Sequence, residues 1–241
     1  MLAKITKEKR IRKDAEVAEA LRWLGEKSTA HDRENLVRFG IAAKNAFGVS
    51  MANIQIAAKR IGKNHEVAAA LWESGCYEAR MMAAYVDEPT KVSSTQMDRW
   101  CRDFDNWGIA DTVCFVLFDR TTHAWEKVAK WSVAREEFVK RAAFALLWGL
   151  TVHDKRSGDE LFVEGLELVE KAAEDERHFV KKAVNMALRA TGKRNVALNG
   201  AAVAVARRLA KSMNVSARWV GKDALRELTS TAVLGRLAGK A

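Results

Sequence analysis

The sequence predicts an all-α protein built from stacked pairs of antiparallel helices, an α-solenoid. Only one proline, Pro89, occurs among 241 residues, and the chain is poor in the turn residues that a many-stranded β fold requires. Residues with high helix propensity, above all Ala, Leu, Arg, Lys and Glu, dominate the composition. Similar segments also recur about 40 residues apart, which is the period of a two-helix repeat.

Apolar residues at helical spacing, separated by short Gly, Asn, Asp and Ser segments, predict the individual helices in order. They are placed near residues 15–26, 32–45, 51–61, 65–74, 76–87, 94–104, 107–118, 122–132, 135–152, 159–173, 178–190, 195–211, 216–227 and 230–238. The segments Trp125–Trp131 and Leu161–Ala173 alternate apolar and charged turns, which is typical of exposed helices. The segment Arg141–Leu150 is apolar nearly all round, so we expect other helices to cover it on several sides.

Internal repeats indicate how these helices pair. The segment Phe138–Ala143 recurs as Phe179–Val184 at an offset of 41 residues (179 minus 138), and Ala187–Arg189 recurs as Ala224–Arg226 at an offset of 37 (224 minus 187). Offsets near 40 are typical of HEAT-like repeats. The sequence therefore predicts a right-handed superhelix of HEAT-like antiparallel helix pairs, in a single domain over residues 1–241.

The charge balance favours a polyanionic partner. Lys and Arg number 41 against 31 Asp and Glu, which gives a net charge of +10, and the pI is about 9.6. Such a field attracts nucleic acids or anionic membranes, and nucleic acid is the commoner partner. The longest apolar stretches, such as Ala142–Val152, are far shorter than the roughly 20 residues of a transmembrane helix. We expect a cytoplasmic protein, associated with the nucleoid when bound to DNA, and a monomer.

Neither metal nor cofactor chemistry is predicted. The three cysteines, Cys76, Cys101 and Cys114, form no CxxC pair, so they are expected to be small buried hydrophobic residues. The five histidines are scattered, with no HExxH motif. The Gly62-Lys63 pair lacks the other residues of a phosphate-binding P-loop.

The N-terminus is rich in cations. Residues 1–14 contain few apolar side chains and six basic ones, which are Lys4, Lys7, Lys9, Arg10, Arg12 and Lys13. This segment is interpreted either as a basic, partly disordered arm that contacts a polyanion or as a solvated, frayed chain end.

Pairs of cations recur near the starts of the predicted second helices of the repeats. The positions are Lys140 and Arg141, then Lys181 and Lys182, then Arg189, Lys193 and Arg194. Repeat proteins commonly bind long partners on the surface formed by such helices, and regularly spaced cations suit a phosphate backbone. The alternative is that they are solvated charges on exposed helix ends.

Trp107 and Asp111 are four residues apart, so an aromatic ring and a carboxylate lie on the same side of one helix. A purine alkylated at N3 or N7 is cationic and already a good leaving group. Cleavage of its glycosidic bond needs mainly stabilisation of an oxocarbenium-like sugar and a positioned water molecule. A carboxylate serves both needs, and an indole stabilises a nearby cation. The structural alternative is that Asp111 interacts with the helix dipole and Trp107 packs in the core.

Several motifs occur together in an order that resembles a known family. They are Trp107-x-x-x-Asp111, Phe138-Val-Lys-Arg141-Ala, Phe179-Val-Lys-Lys-Ala-Val-Asn-Met-Ala-Leu-Arg189, Gly192-Lys-Arg-Asn195, the segments Phe39-Gly-Ile and Phe47-Gly-Val, and Ala57-Ala-Lys-Arg-Ile-Gly62. Together they resemble the AlkD-type DNA alkylation repair family, the HEAT-like repeat alkylpurine DNA glycosylases, over nearly the whole chain.

This resemblance implies monofunctional removal of N3- and N7-alkylated purines from double-stranded DNA, without a metal or organic cofactor and without insertion of the base into a pocket. By position, Asp111 would be the catalytic carboxylate and Trp107 the aromatic residue beside the lesion. Arg141 and Arg189 would hold the DNA backbone.

Two positions depart from the family pattern. The relatives usually carry a second Trp where this chain has Met186, which is then the lesion-adjacent residue but offers no π face. They also commonly carry an acid where this chain has Gly108, and a glycine there is expected to loosen the helix turn that presents Asp111.

Three functions follow. The first is a glycosylase, with Lys182 joining Arg141 and Arg189 on phosphates. The second is a non-catalytic relative that recognises damaged, bent or branched DNA. The third is a helical-repeat scaffold for an acidic protein, since a solenoid alone fixes no function.

Overall fold

The computed structural model describes residues 2–41 and 44–239, with every side chain of these ranges except those of residues 2–7 and 9. The described ranges contain fourteen α-helices and no β-strand. In chain order they are α1 (Leu2–Glu26), α2 (Ala30–Arg38), α3 (Met51–Ile61), α4 (His65–Glu73), α5 (Tyr77–Val86), α6 (Ser94–Arg102), α7 (Trp107–Val116), α8 (Ala124–Ser132), α9 (Glu137–His153), α10 (Asp159–Ala172), α11 (His178–Thr191), α12 (Val196–Ala210), α13 (Val215–Leu228) and α14 (Thr231–Ala238), with a 3₁₀ turn at Phe118–Arg120. The predicted all-α fold is confirmed.

Two predicted helix boundaries are wrong. Helix α1 begins at Leu2 rather than near residue 15. Arg10 and Arg12 form ion pairs one turn apart with Asp14 and Glu16, at 3.8 and 2.9 Å. The prediction that residues 1–14 form a basic arm stays a prediction, since Met1 and the side chains of residues 2–7 and 9 lie outside the described part.

Helix α2 ends at Arg38 rather than near residue 45, because a Schellman motif closes it. The Gly40 N–H donates to the Val37 carbonyl at 2.9 Å, and the Ile41 N–H donates to the Leu36 carbonyl at 2.8 Å. Gly40 has a φ of 70°, which is the left-handed conformation that glycine adopts readily.

The chain divides into two compact units, Met1–Leu117 and Phe118–Ala241. The prediction of a single domain over residues 1–241 stays a prediction. None of the helices in the described ranges has the length and apolarity that a bilayer-spanning segment needs.

In the first unit, α5 packs against α3, α4 and α7. Trp72 of α4 stacks flat on Trp100 of α6, with ring centroids 4.1 Å apart and planes 2° from parallel. Both indoles are fully buried and pack between these two helices. All three cysteines are also buried, as predicted.

A buried carboxylate fixes the loop before α3. The Glu78 side chain has no exposed surface and accepts hydrogen bonds from the backbone N–H groups of Phe47, Gly48 and Val49 at 2.9, 2.7 and 3.2 Å. Three donors satisfy the charge of a carboxylate that burial would otherwise penalise heavily. The loop is therefore held against the N-terminal turn of α5.

The second unit consists of two helical layers. Helices α9, α11 and α13 pack side by side in one layer, and α8, α10 and α12 form the other. The prediction that α9 is covered on several sides is confirmed, since ten of its seventeen residues are buried. Helix α13 approaches α12 so closely that a Cβ atom at Gly221 would lie 2.2 Å from the backbone nitrogen of Ala210.

Contacts between successive helix pairs follow the predicted repeat period. The rings of Phe138 and Phe179, which occupy equivalent repeat positions, lie 5.3 Å apart. The Arg177 guanidinium donates to the Arg135 carbonyl, 42 residues earlier, and the Arg194 guanidinium donates to the Thr151 carbonyl, 43 residues earlier. Equivalent positions of neighbouring repeats are thus joined by packing and by hydrogen bonds.

Candidate functional site

Helix α7 presents the predicted Trp107 and Asp111. The Asn106 side chain caps the helix by accepting a hydrogen bond from the Ile109 N–H at 3.0 Å. Trp107 is the first helical residue, and its indole N–H donates to the Phe39 carbonyl at 2.9 Å. Asp111 lies one turn further on, and both side chains are half-buried. The structure therefore brings an oriented indole and a half-buried aspartate to one side of the helix.

The alternative roles of these two residues, Asp111 at the helix dipole and Trp107 in the core, fit the structure poorly. The first turn of α7 contains no acidic residue, because Asp111 is the fifth residue of the helix. The helix dipole acts mainly on charges within the first turn. Trp107 is not a fully buried core residue either, since its indole edge is fixed by a backbone carbonyl and part of its surface remains exposed.

Gly108 supports the start of α7 through close packing. It is buried, and a Cβ atom at this position would lie 2.8 Å from the Tyr77 hydroxyl oxygen and 3.1 Å from Ile41 Cδ1. The expectation that this glycine loosens the helix turn considers only the backbone of an isolated helix. Here Tyr77 and Ile41 fill the space that a larger side chain would need, and they restrain the turn.

The paired cations of α9 are engaged within the second unit. Arg141 is only 5% exposed, and its guanidinium donates to the Phe179 carbonyl at 2.7 Å. Lys140 forms an ion pair with Asp175 at 3.0 Å, and Arg177 binds the same carboxylate. Burial raises the pKa of Asp175, but hydrogen bonds from Arg177 and Lys140 outweigh it and lower the pKa to about 2. The predicted contact of Arg141 and Lys140 with DNA stays a prediction.

The cations at the end of α11 are engaged in a similar way. Arg189 pairs with Glu227 and, at 3.5 Å, with Asp223 of α13. Lys193 pairs with Glu227 at 2.6 Å. The Arg194 guanidinium lies 4.1 Å from the centre of the Phe162 ring. These side chains join neighbouring repeats, and an additional role on phosphate stays a prediction.

Helix α11 also carries the remaining predicted positions. The ammonium groups of Lys181 and Lys182 lie 5.4 and 4.7 Å from the centre of the Trp219 ring, and Lys182 is exposed to solvent. Met186 is half-buried on the same helix. Lys182 is therefore better placed for an external anion than Arg141.

The second unit has a cationic groove that no sequence pattern predicts. A groove of about 360 Å³ is lined by four cations and no carboxylate, the cations being Lys155, Lys193, Arg194 and Arg236. Lys155 and Arg236 are exposed, and neither side chain has an ion-pair or hydrogen-bond partner in the described ranges. The two residues are 81 positions apart (236 minus 155), so no local pattern indicates that they share a groove.

A buried carboxylate lies under α9. Asp119 pairs with His153, whose Nδ1 atom lies 2.5 Å from Oδ2 of the carboxylate. Burial raises the pKa of Asp119 to about 6, although His153 acts in the opposite direction. The other carboxylate oxygen, Oδ1, is buried without a hydrogen-bond donor in the described ranges.

Comparisons with known proteins give a family and a fold. A family model described as DNA alkylation repair enzyme matches residues 20–228. One similar solved structure represents a new family of proteins related to the HEAT-like repeat DNA glycosylases with affinity for branched DNA structures. It has a TM-score of 0.72 and 21% sequence identity, and the match covers 91% of this chain and 95% of that chain. This similarity confirms the predicted HEAT-like fold.

Other similarities are weaker. A designed armadillo repeat protein in complex with the peptide (KR)4 has a TM-score of 0.36 at 12% identity, with coverage of 88% of this chain and 91% of that chain. A second designed armadillo repeat protein has a TM-score of 0.31 at 14% identity, with coverage of 90% and 93%. Neither similarity is high enough to bear on function. No curated protein matches the sequence significantly.

Proposed function

The chain belongs to the DNA alkylation repair enzyme family, and from this premise we propose that it is a DNA glycosylase acting on cationic N3- and N7-alkylated purines in duplex DNA. The observation that supports this proposal best is the presentation of Trp107 and Asp111 by helix α7. The indole is held by the Phe39 carbonyl, and the carboxylate lies one turn away on the same side of the helix.

The proposed reaction is hydrolysis of the N-glycosidic bond. The bond between C1′ of the deoxyribose and the purine nitrogen breaks, and its electron pair neutralises the cationic base. The negative charge of Asp111 stabilises the oxocarbenium-like sugar, and a water molecule adds its oxygen to C1′ and loses a proton to the carboxylate. The face of Trp107 stabilises the cationic base or sugar by about 0.5–2 kcal/mol.

DNA binding is supported by the net charge of +10 and by the cationic groove of the second unit. Exposed Lys182 and the groove residues Lys155 and Arg236 are available for phosphate groups. Hydrogen bonds and ion pairs between repeats already engage Arg141, Arg189 and Lys193. We therefore propose that exposed cations contribute more to DNA affinity than these engaged ones.

The test is release of free alkylated purines from methylated duplex DNA by the wild type, Asp111→Asn and a control, Glu73→Gln. The Glu73 side chain is 66% exposed and lies on α4. We expect Asp111→Asn to reduce release by at least about a hundredfold, as for other electrostatic stabilisers, while DNA affinity and the control stay near wild type. Equal release by Asp111→Asn and the wild type would contradict the assigned role.

A second candidate is recognition of branched or bent DNA without base release. It is favoured by the half-buried Met186, which offers no π face at the lesion-adjacent position, and by the branched-DNA affinity of the similar family. Salt-dependent binding that prefers a four-way junction to a duplex, with no purine release by the wild type, would favour this candidate.

A further inference from the structure

A polar pocket opens in the first unit beside the start of α7. It has a volume of about 380 Å³, and its polar lining residues are Lys44, Asn45, Tyr77, Arg80, Asp105 and Asn106. Asn106 and Ile109, which also lines the pocket, flank the first turn of α7, to which Trp107 belongs. The pocket is therefore adjacent to the proposed catalytic helix.

Tyr77 lines this pocket, and its hydroxyl is a hydrogen-bond donor. The residue is only 7% exposed, and its hydroxyl has no hydrogen-bond partner within residues 2–41 and 44–239. The hydroxyl is therefore available to donate to a ligand in the pocket. Burial, together with the nearby Glu78 and Asp105 carboxylates, raises the pKa of Tyr77, so the hydroxyl keeps its proton at every physiological pH.

Two cations flank this hydroxyl. Lys44 is exposed, and its side chain has no partner in the described part of the chain. The Arg80 guanidinium donates to the Trp72 and Asp103 carbonyls at 3.4 and 3.3 Å, and its remaining nitrogen lies 3.9 Å from the Asp103 carboxylate. A guanidinium carries five N–H donors, so these contacts leave hydrogens for a ligand. A guanidinium, an exposed ammonium and a hydroxyl donor suit a phosphate oxygen.

One carboxylate among the lining residues opposes this charge. Asp105 is exposed and accepts a hydrogen bond from the Asn106 side chain at 2.7 Å. Lys44 and Arg80 against Asp105 give the lining a net charge of +1, and the Asp103 carboxylate that pairs with Arg80 lies outside the lining. A cationic ligand would meet two like charges and a hydroxyl donor with no acceptor, so an anion is the better complement.

We propose that this pocket binds a phosphodiester group of the DNA strand that passes Trp107, with Tyr77, Lys44 and Arg80 as donors. This proposal rests on the proposed DNA repair function and adds the element that would hold the backbone in the first unit. It assigns to Tyr77 a ligand contact that the folded protein itself does not require.

Tyrosine variants separate ligand binding from stability. Tyr77→Phe removes only the hydroxyl, and because that hydroxyl has no partner in the described protein, we expect an unchanged or higher Tm. The control is Tyr85→Phe, since the Tyr85 hydroxyl accepts a hydrogen bond from Gln55 at 3.0 Å and does not line the pocket. For a 20-base-pair duplex at low salt, we expect Tyr77→Phe to weaken binding about tenfold and Tyr85→Phe to leave it unchanged.

Charge variants test the class of ligand. Lys44→Gln should weaken duplex binding and reduce the slope of log K against log salt concentration by about one. Asp105→Asn should strengthen binding about threefold, because it removes the one carboxylate among the described residues that line the pocket. Weaker binding by Asp105→Asn would overturn the assignment of an anionic ligand.

Two measurements test the two proposals separately. Purine release tests the glycosylase activity, and the effect of Tyr77→Phe on duplex binding tests the pocket. Weakened binding by Tyr77→Phe with no purine release by the wild type would support the pocket and contradict the glycosylase. Purine release with equal duplex affinity of Tyr77→Phe and the wild type would overturn the pocket and leave the glycosylase intact. Failure of the wild type to bind the duplex at low salt would overturn both.

Discussion

Gly108 determines how tightly the first turn of α7 packs. A Cβ atom there would lie 2.8 Å from the Tyr77 hydroxyl oxygen, and Tyr77 is too buried to move aside without cost. We therefore expect Gly108→Ala to lower the free energy of unfolding by about 1–3 kcal/mol, as overpacking does in other cores. Urea denaturation followed by circular dichroism measures this change.

The matched control for Gly108 is Gly200 in α12. It is an exposed helical glycine, and a Cβ atom there would meet no atom within 4 Å. Gly200→Ala should raise the free energy of unfolding by about 0.5–1 kcal/mol, because alanine favours the helix. Equal effects of the two substitutions would show that the Tyr77 contact does not constrain Gly108.

Asp119 should make the protein less stable as pH rises through the range of its titration. Its pKa is 3.8 in an ordinary environment and about 6 here, mainly because of burial. The folded state therefore binds the proton more tightly, and the stability gained from protonation is present below about pH 4 and lost as pH rises through about 6. At about 1.4 kcal/mol per pKa unit, the loss is on the order of 3 kcal/mol.

Asp119→Asn isolates this effect, because asparagine stays neutral at every pH. Between pH 4 and about 7, the wild type should lose stability relative to the variant, as measured by urea denaturation at each pH. A gain in stability by the wild type over the same range would mean that the pair with His153 outweighs the burial of the carboxylate.

Residue spacing predicted Trp107 and Asp111 correctly as neighbours on one helix, because a four-residue separation fixes their relative position in any α-helix. The burial of Arg141 was not predicted, since cations are mostly exposed. A signal was present nonetheless: Arg141 begins the segment whose apolar character extends nearly all round the helix. A cation within such a segment indicates an internal partner, here the Phe179 carbonyl.

At the scale of single helices, the interiors were predicted well. The start of α1 and the end of α2 were not. The apolar periodicity of α3 to α14 continues close to their ends, so the pattern locates them. The end of α2 depends instead on Gly40, whose left-handed conformation allows the Schellman motif. The sequence Phe39-Gly40-Ile41 carries this signal, because the motif combines a glycine with an apolar residue after it.

Helices α9 and α11 should depend on Arg141 for their packing. Arg141→Ala would leave the Phe179 carbonyl without the 2.7 Å hydrogen bond and would remove a nearly fully buried side chain. We expect the free energy of unfolding to fall by at least about 2 kcal/mol. Lys182→Ala on the exposed side of α11 should cost no more than about 1 kcal/mol, the value of its cation-π contact with Trp219.

The affinity of the two variants for duplex DNA, measured under conditions in which both remain folded, shows which cation contacts DNA. If exposed cations contribute most, Lys182→Ala weakens binding more than Arg141→Ala does. The reverse order would assign Arg141 a phosphate contact in addition to its role between the helices.

At the scale of the whole molecule, composition predicted the all-α class and the 41-residue offset predicted which positions of neighbouring repeats would meet. Phe138 and Phe179 are in contact as that offset requires. The cationic groove was not predictable in this way. Lys155 follows α9 and Arg236 lies in α14, so their proximity depends on the packing of the intervening helices rather than on any periodic pattern.

The groove allows a test of whether the positive charge of the molecule acts on DNA at one place or as a diffuse field. If the net charge of +10 acts only as a diffuse field, removal of any two exposed cations should affect duplex binding equally. If the groove holds phosphates, the double variant Lys155→Ala/Arg236→Ala should reduce the slope of log K against log salt concentration by about 2, at about 0.9 for each lost contact. Its stability should stay within about 0.5 kcal/mol of wild type, because both side chains are exposed.

The matched double variant is Lys211→Ala/Lys222→Ala, which removes the same charge from two exposed lysines that do not line the groove. Its salt slope should stay close to that of the wild type. Equal reductions in the two double variants would mean that the second unit attracts DNA by its overall charge, and that the convergence of Lys155, Lys193, Arg194 and Arg236 holds no particular phosphate.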